Sequence, residues 1–218
     1  MLRDVEENPG MAVIHRTTMV PTKMELLASW LPGRIWYRGE RLPDLRKAGG
    51  FRLDDPDGEV GIEFMVVTDH SGAEPRTYHV PLTYRGSSLP DAAEALVGTS
   101  EHGVLGTRWV YDATRDPVAV TRIVALLTGD AQPQAQSESD TPDPSVTVSV
   151  AEKVSLTEGF GQVRDGLSYT DIPVGDRIVR IHRLLRGAAE AAVAGRVSAP
   201  WRLDDGATAR GVFMELVT

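Results

Sequence analysis

The sequence predicts an α+β protein, an antiparallel sheet packed on one or two helices and followed by a mainly β C-terminal segment. Three observations carry this. "VGIEFMVV" places Val60, Ile62, Phe64 and Val66 on one face, and "TYHVPLTY" does the same with Tyr78, Val80, Leu82 and Tyr84, the period-two pattern of half-buried strands. The connection "TDHSGAEPR" between these runs has the turn residues of a hairpin, which implies antiparallel pairing. "RDPVAVTRIVALLTG" instead repeats Val120, Ile123, Val124 and Leu127 at helical spacing.

The elements follow in order. Residues 1–10 stand apart from the fold: "DVEENPG", Asp4 to Gly10, resembles the end of viral ribosome-skipping peptides and reads as a leader or cloning scar ahead of a start at Met11. A short strand is expected over Ala12 to Arg16, then a helix. Thr22 and Glu25 have capping-box spacing, Met24, Leu27, Ala28 and Leu31 share one side, and Pro32-Gly33 ends the helix. The two strands above follow, with Pro81 predicting an edge strand or a bulge in the second. "LPDAAEALVG" is expected to be a short helix capped by Asp91, with Glu94 at capping spacing, and "GTRWVYD" a strand. The clearest helix comes next, capped by Asp116, with Pro117 in its first turn and Gly129 at its close. Ala131 to Ser145 contains no large apolar residue and is rich in Gln, Ser, Pro and Asp, so 131–145 is expected to be a linker or disordered loop. In 146–218, "VTVSVAEKV", "DRIVRIHRLL" and "GVFMELV" have strand character, while "GAAEAAVAG" fits helix and strand equally. This segment has few large apolar groups for its size and is expected to pack on what precedes it.

Composition narrows the function. The chain has 218 residues, is 41% hydrophobic and 25% charged, and has 23 Lys+Arg against 31 Asp+Glu for a formal net charge of -8. A nucleic-acid binder needs a basic face to neutralise phosphate, so no nucleic-acid partner is expected. The absence of cysteine excludes disulfides, thiolate catalysis and cysteine-ligated zinc, and suits a cytoplasmic location. No apolar run approaches the ~20 residues of a membrane helix, and no membrane partner is expected.

Chemistry is sparse. His15, His70, His79, His102 and His182 are scattered without metal-ligand spacing, so no metal and no cofactor is expected. Walker, nucleophile-elbow and dinucleotide motifs are absent. "EGFGQVRDG" faintly resembles a kinase glycine loop through Gly159 and Gly161, and fits an ordinary turn better. Asp54-Asp55 and Asp204-Asp205 lie beside Gly or Pro, where turn chemistry explains them. Two aromatic-basic clusters remain, Arg34/Trp36/Tyr37/Arg38 and Arg108/Trp109/Tyr111. Such clusters serve as interaction or ligand platforms, or as half-buried rings under arginine stems; the pattern favours packing.

"LLASWLPGRIWYRG", "GFRLDD", "VPLTYRG" and "LVGTSEHGVLGTRWVYDATRDPVAV" together resemble the N-terminal cap domain of actinobacterial maltokinases, over roughly residues 12 to 130. The shared features are a W-[FY]-R-G corner, here Trp36 to Gly39, and a W-V-Y-D-A…D-P segment, here Trp109 to Ala113 and Asp116-Pro117. The resemblance implies a curved, cystatin-like antiparallel cap over 11–130, with its W-[FY]-R-G corner serving packing and docking. It also makes 146–218 a candidate remnant of a kinase N-lobe, in which "RIVRIHRLL" sets Arg180 where a phosphate-pairing lysine would stand. Arginine there is not a conservative replacement. No catalytic loop with its Asp and metal-binding groups is found, so the protein is not expected to be an enzyme. The expected role is a non-catalytic binding or regulatory module whose partner is an enzyme of trehalose, maltose or α-glucan metabolism. The alternative is a nucleotide- or α-glucan-binding protein related to sugar kinases.

Overall fold

Thr22 starts the first helix in the computed structural model, which describes residues 19–39, 42–138, 140–150, 159–187 and 194–217. The Thr22 hydroxyl accepts the Glu25 amide at 3.3 Å and the Glu25 carboxylate accepts the Thr22 amide at 2.7 Å, the reciprocal cap that the spacing predicts. Helix α1 then runs Lys23–Trp30, and a tight turn over Leu31–Gly33 ends it at Pro32-Gly33. The strand expected at Ala12 to Arg16 lies outside the described residues.

The strands are β1 Met19–Val20, β2 Leu45–Leu53, β3 Gly61–Asp69, β4 Arg76–Arg85, β5 Leu96–His102, β6 Gly106–Asp112, β7 Thr147–Ser149, β8 Arg164–Asp165, β9 Tyr169–Val174, β10 Arg177–His182, β11 Arg196–Arg202 and β12 Thr208–Val217. Helix α2, Pro117–Leu127, separates β6 from β7. Every strand pair is antiparallel, and the order across the sheet is β1-β5-β6-β4-β3-β2-β11-β12-β10-β9-β8, with β7 on β11. Among the described residues the fold is α+β, mostly antiparallel sheet with two short α-helices.

The period-two pattern of β3 explains the layering. Ile62, Phe64 and Val66 share a core with Phe51, Leu53, the α2 stripe Val120, Ile123, Val124 and Leu127, and residues of the C-terminal strands such as Ile181 and Phe213. Met65 and Val67 point the other way, to Leu26, Leu27 and Trp30 of α1 and to Tyr78, Val80 and Leu82 of β4. β3 is therefore buried on both faces, between two apolar clusters.

The sheet also returns on itself. On the side of β4 away from β3, the His79 amide donates to the Arg183 carbonyl and the Leu185 amide to the Thr77 carbonyl, both at 2.9 Å, just past the end of β10. β10 pairs with β12, β12 with β11, and β11 meets β2 at Trp201 opposite Gly49, so the path from β4 comes back to β4. Pro81 is explained by this arrangement rather than by an edge. β4 pairs with 183–185 through 77–79 and with β6 through 82–85, and Pro81 falls where it changes partner.

One further expectation differs from what is observed. "LPDAAEALVG" forms only a single tight turn, Ala93–Ala95, with Ala92 rather than Asp91 at its start; Leu96 already pairs with Tyr111 in β5, and strand pairing outcompetes so short a helix. Within 131–145, Gln134 exchanges backbone hydrogen bonds with Arg52 of β2 at 2.9 Å in each direction. Gln136 further donates to the buried Glu63 carboxylate at 2.7 Å, so side-chain amides give this apolar-poor stretch specific contacts.

Candidate functional site

The W-Y-R-G corner follows directly from the end of α1. The Leu31–Gly33 turn sends the chain back across the sheet, and Trp36 lands on the α1 cluster with no exposed surface. Its ring meets Trp30 edge-on at 5.8 Å between centroids and Tyr78 at 6.1 Å. Tyr37 is half-buried, lies 5.5 Å from the Tyr78 ring, and donates its hydroxyl to Asp69 Oδ2 at 2.8 Å. Burial, reinforced by the Asp69 carboxylate, pushes the Tyr37 phenol up to about 12. The Arg38 amide donates to the Tyr78 hydroxyl at 3.0 Å, and the Arg34 guanidinium lies 4.7 Å from the centre of the Trp30 ring.

The second cluster is elsewhere. Arg108, Trp109 and Tyr111 belong to β6, where Trp109 pairs with Thr99 of β5 and Arg85 of β4. Tyr111 is buried and its hydroxyl accepts the Leu89 amide at 2.8 Å; Arg108 donates to the Leu105 carbonyl. Among the described residues, no ring contact or hydrogen bond joins the two clusters. Trp36, Tyr37 and Arg34 contact neighbouring rings, and Tyr111 and Arg108 bond nearby loop backbone.

A residue outside both clusters completes the first. Arg183 is fully buried, and its guanidinium sits 4.9 Å from the centre of the Trp36 ring. Nη2 donates to Asp112 Oδ2 at 2.6 Å and to Thr114 Oγ1 at 3.1 Å, and Nε donates to Thr170 Oγ1 at 2.8 Å. Thr170 in turn donates to Asp165, whose other oxygen accepts Arg115 at 2.8 Å. Burial alone would raise the Asp112 carboxyl, but the charges and donors of Arg183, followed by Arg115, hold it below the usual carboxylate range. Asp112 is the acid of the W-V-Y-D-A segment. The W-Y-R-G and W-V-Y-D-A segments thus meet through an arginine just past the end of β10.

A sequence signal for this existed. Val179, Ile181, Arg183 and Leu185 alternate, and all four are buried, so Arg183 occupies an inward position of the strand pattern. Arg180 is on the opposite phase. Both Nε and Nη2 bond the Asp171 carboxylate at 2.8 Å, and its guanidinium lies 4.1 Å from the centre of the Tyr169 ring. Those contacts occupy the group that the kinase comparison would assign to phosphate.

Other polar groups also have structural surroundings that account for them. Asp55 accepts the amides of Asp57, Glu59 and Val60, and Asp205 that of Ala207, as turn residues do. The Gly161 amide donates to the Pro173 carbonyl of β9 at 2.9 Å, so this stretch runs beside β9 and is not the turn its glycines suggest. Glu63 is buried on the α1 side, and accepts Lys23 at 2.5 Å and Tyr84 at 2.6 Å. His79 is buried between Phe64 and Phe213, and burial followed by the Arg183 charge pushes it down to about 3. No group of three or more His, Asp or Glu placed to hold a metal occurs among the described residues. An open cleft of about 230 Å³ lies between β2 and β11, lined by Gly49, Gly50, Asp143, Ser145, Trp201 and Arg202. No helix among the described residues is long and apolar enough to cross a membrane.

These features describe an antiparallel fold whose aromatic corner and W-V-Y-D segment are joined in its interior. The family model of the maltokinase N-terminal cap domain matches residues 30–116. The match runs from Trp30 through the corner to Asp116 at the start of α2. No curated protein matches the chain significantly.

Proposed function

We propose that the chain is a non-catalytic binding or regulatory module that docks onto an enzyme of trehalose, maltose or α-glucan metabolism. The observation that carries this reading is the burial of Trp36 beneath Arg183, in a stretch matching the maltokinase cap. A ring enclosed by Trp30, Tyr78 and a guanidinium has no face to offer a sugar or base. The engagement of Arg180 by Asp171 supports the same reading, because phosphate pairing would have to displace a bidentate carboxylate. The likeness of the cap sheet to a cystatin-like fold belongs to this reading too. The alternative, a small-molecule site, is favoured by one feature, the cleft beside Trp201.

A thermal-shift panel of the whole chain with Mg-ATP, glucose, maltose, trehalose and linear maltooligosaccharides separates the two. A ligand at a hundred times its dissociation constant stabilises by ~2.7 kcal/mol, which moves Tm by several degrees. The docking reading expects a flat panel and a complex with a purified maltokinase or trehalose-converting enzyme in analytical ultracentrifugation. A shift of several degrees that disappears when Arg202 or Ser145 is substituted would replace it with the small-molecule reading.

A further inference from the structure

The face of the sheet that packs on α1 has a charged end. Register places Lys47, Gly50 and Arg52 of β2 on this face, beside Val67, Met65 and Glu63 of β3. Met65 and Val67 lie in the apolar cluster under α1, and Glu63 lies past its edge. Glu63 is 4% exposed, and its carboxylate accepts Lys23 at 2.5 Å, Tyr84 at 2.6 Å and Gln136 at 2.7 Å. The Lys23 amine also lies 4.8 Å from the centre of the Tyr84 ring. Gly50 leaves the space between Lys47 and Arg52 without a side chain, and a Cβ there would come within 2.8 Å of Gln136 Nε2. Three cations, Lys23, Lys47 and Arg52, thus surround one carboxylate, and Lys23 pairs with it. Among the described residues, neither the Lys47 amine nor the Arg52 guanidinium has a hydrogen-bond or ion-pair partner. Both act on the cluster through their charge. Partial desolvation pushes the Lys47 amine below its ordinary value; of the charges acting on it, one is a carboxylate, Glu63, and one a second amine, Lys23. Burial and then Glu63 raise the Tyr84 phenol, and the Arg52 charge acts against them. Asp69, further along β3, is not among the charges felt by Lys47 and is bonded by Tyr37 and Ser71.

We propose that Lys47 and Arg52, backed by the Lys23–Glu63 pair, form a binding site for a phosphate group, either the free ion or a monoester. Charge decides the class. With Lys23 paired to Glu63, two cations on one strand face remain without a counter-charge. A phosphate group carries about −1.5 to −2 at neutral pH and matches both, whereas a carboxylate neutralises one of them. The donors suit the same group: a guanidinium bonds two phosphate oxygens in its plane, and an ammonium adds a point contact to a third. Isolated basic side chains on a strand stay solvated and need no ligand. Lys47 and Arg52 differ from these in being held against a buried ion pair, where Lys47 is already disfavoured as a cation, and a bound anion relieves that cost. Arg46, on the opposite phase of β2, provides the contrast: it is exposed and pairs in register with Thr68 on the other face. The site does not rest on the docking function proposed above and adds a ligand to it.

The test titrates the whole chain with inorganic phosphate and, separately, with glycerol 2-phosphate, at constant ionic strength made up with chloride. Calorimetry reads stoichiometry and affinity, and amide NMR shifts read the location. The expected result is saturable binding of one equivalent, with shifts at Lys47, Gly50 and Arg52. Tighter binding of the ester assigns the site to a phosphate monoester, and tighter binding of the ion assigns it to free phosphate. Lys47→Met and Arg52→Met should each weaken binding about tenfold, while Arg46→Met should leave it unchanged. Phosphate binding should also weaken below about pH 6, where the group takes up a proton, while sulfate, which keeps both charges, should not. Unchanged near-ultraviolet circular dichroism from the buried tryptophans verifies that the variants are folded. Absence of saturable binding, shifts elsewhere, or an equal loss in Arg46→Met overturns the proposal. Loss of binding in Arg202→Met also overturns it, because the ligand would then occupy the cleft beside Trp201. None of these outcomes touches the docking function, which is read from the complex with a purified glucan enzyme.

Discussion

Arg183 carries a charge into a place without water, and only its partners make that tolerable. Asp112, Thr114, Thr170 and the face of Trp36 surround it, so removing the guanidinium strands a buried carboxylate. Arg183→Met should destabilise by about 3–5 kcal/mol in urea unfolding, whereas Arg183→Met combined with Asp112→Asn should cost clearly less, because no uncompensated charge remains. His79 gives a second prediction, in pH. Its folded value of about 3 lies far below the ordinary 6.5, so between these limits the unfolded chain takes up a proton that the native protein does not. Stability therefore falls as pH drops below 6.5, by about 1.4 kcal/mol per unit from this group. Asp112, its carboxyl lowered, adds a further loss once pH falls below the unfolded aspartate value. His79→Gln should flatten the decline between pH 6 and 4 while leaving the Asp112 loss below it. An unchanged slope would place the proton uptake elsewhere. Reading residues from sequence had uneven reach: the W-Y-R-G and W-V-Y-D stretches were visible as clusters, but their meeting through Arg183 required knowing which strand phase faces inward.

Helix α2 shows what local chemistry can specify. Asp116 accepts the Val118 amide at 3.0 Å, as its place before Pro117 predicts. The same carboxylate also accepts Thr83 at 2.8 Å and two Arg85 nitrogens at 2.7 and 2.6 Å, so the cap fastens the helix to β4. Asp116→Ala should thus cost more than the ~1 kcal/mol of a cap alone, about 2–4 kcal/mol in thermal unfolding, with Asp116→Asn in between. Both helices were legible because their caps are local, reciprocal at α1 and one-sided at α2. "LPDAAEALVG" misled for the same reason: Asp91 and Glu94 have capping spacing, but pairing of Leu96 with Tyr111 decides the outcome from fifteen residues away. Pro81 was legible as an interruption but not as the place where β4 exchanges partners.

Across the whole molecule the closures are non-local, which is why composition and period could not reach them. His79 bonds Arg183, Gly49 meets Trp201, and Gln134 pairs with Arg52, each joining stretches that look self-contained in sequence. The antiparallel strand content and the two apolar faces of the hairpin were readable; the ring was not. The central claim is that residues 30–116 and the C-terminal strands are one cooperative structure joined at Trp36, Arg183 and Asp112. Native-state amide exchange under increasing denaturant tests it most directly. The account predicts that the slowest amides of β3 and β4 and those of β10 and β12 converge on one opening free energy. If β10 and β12 open together at much lower free energy while β3 and β4 stay protected, the two parts are separate units and the claim is contradicted.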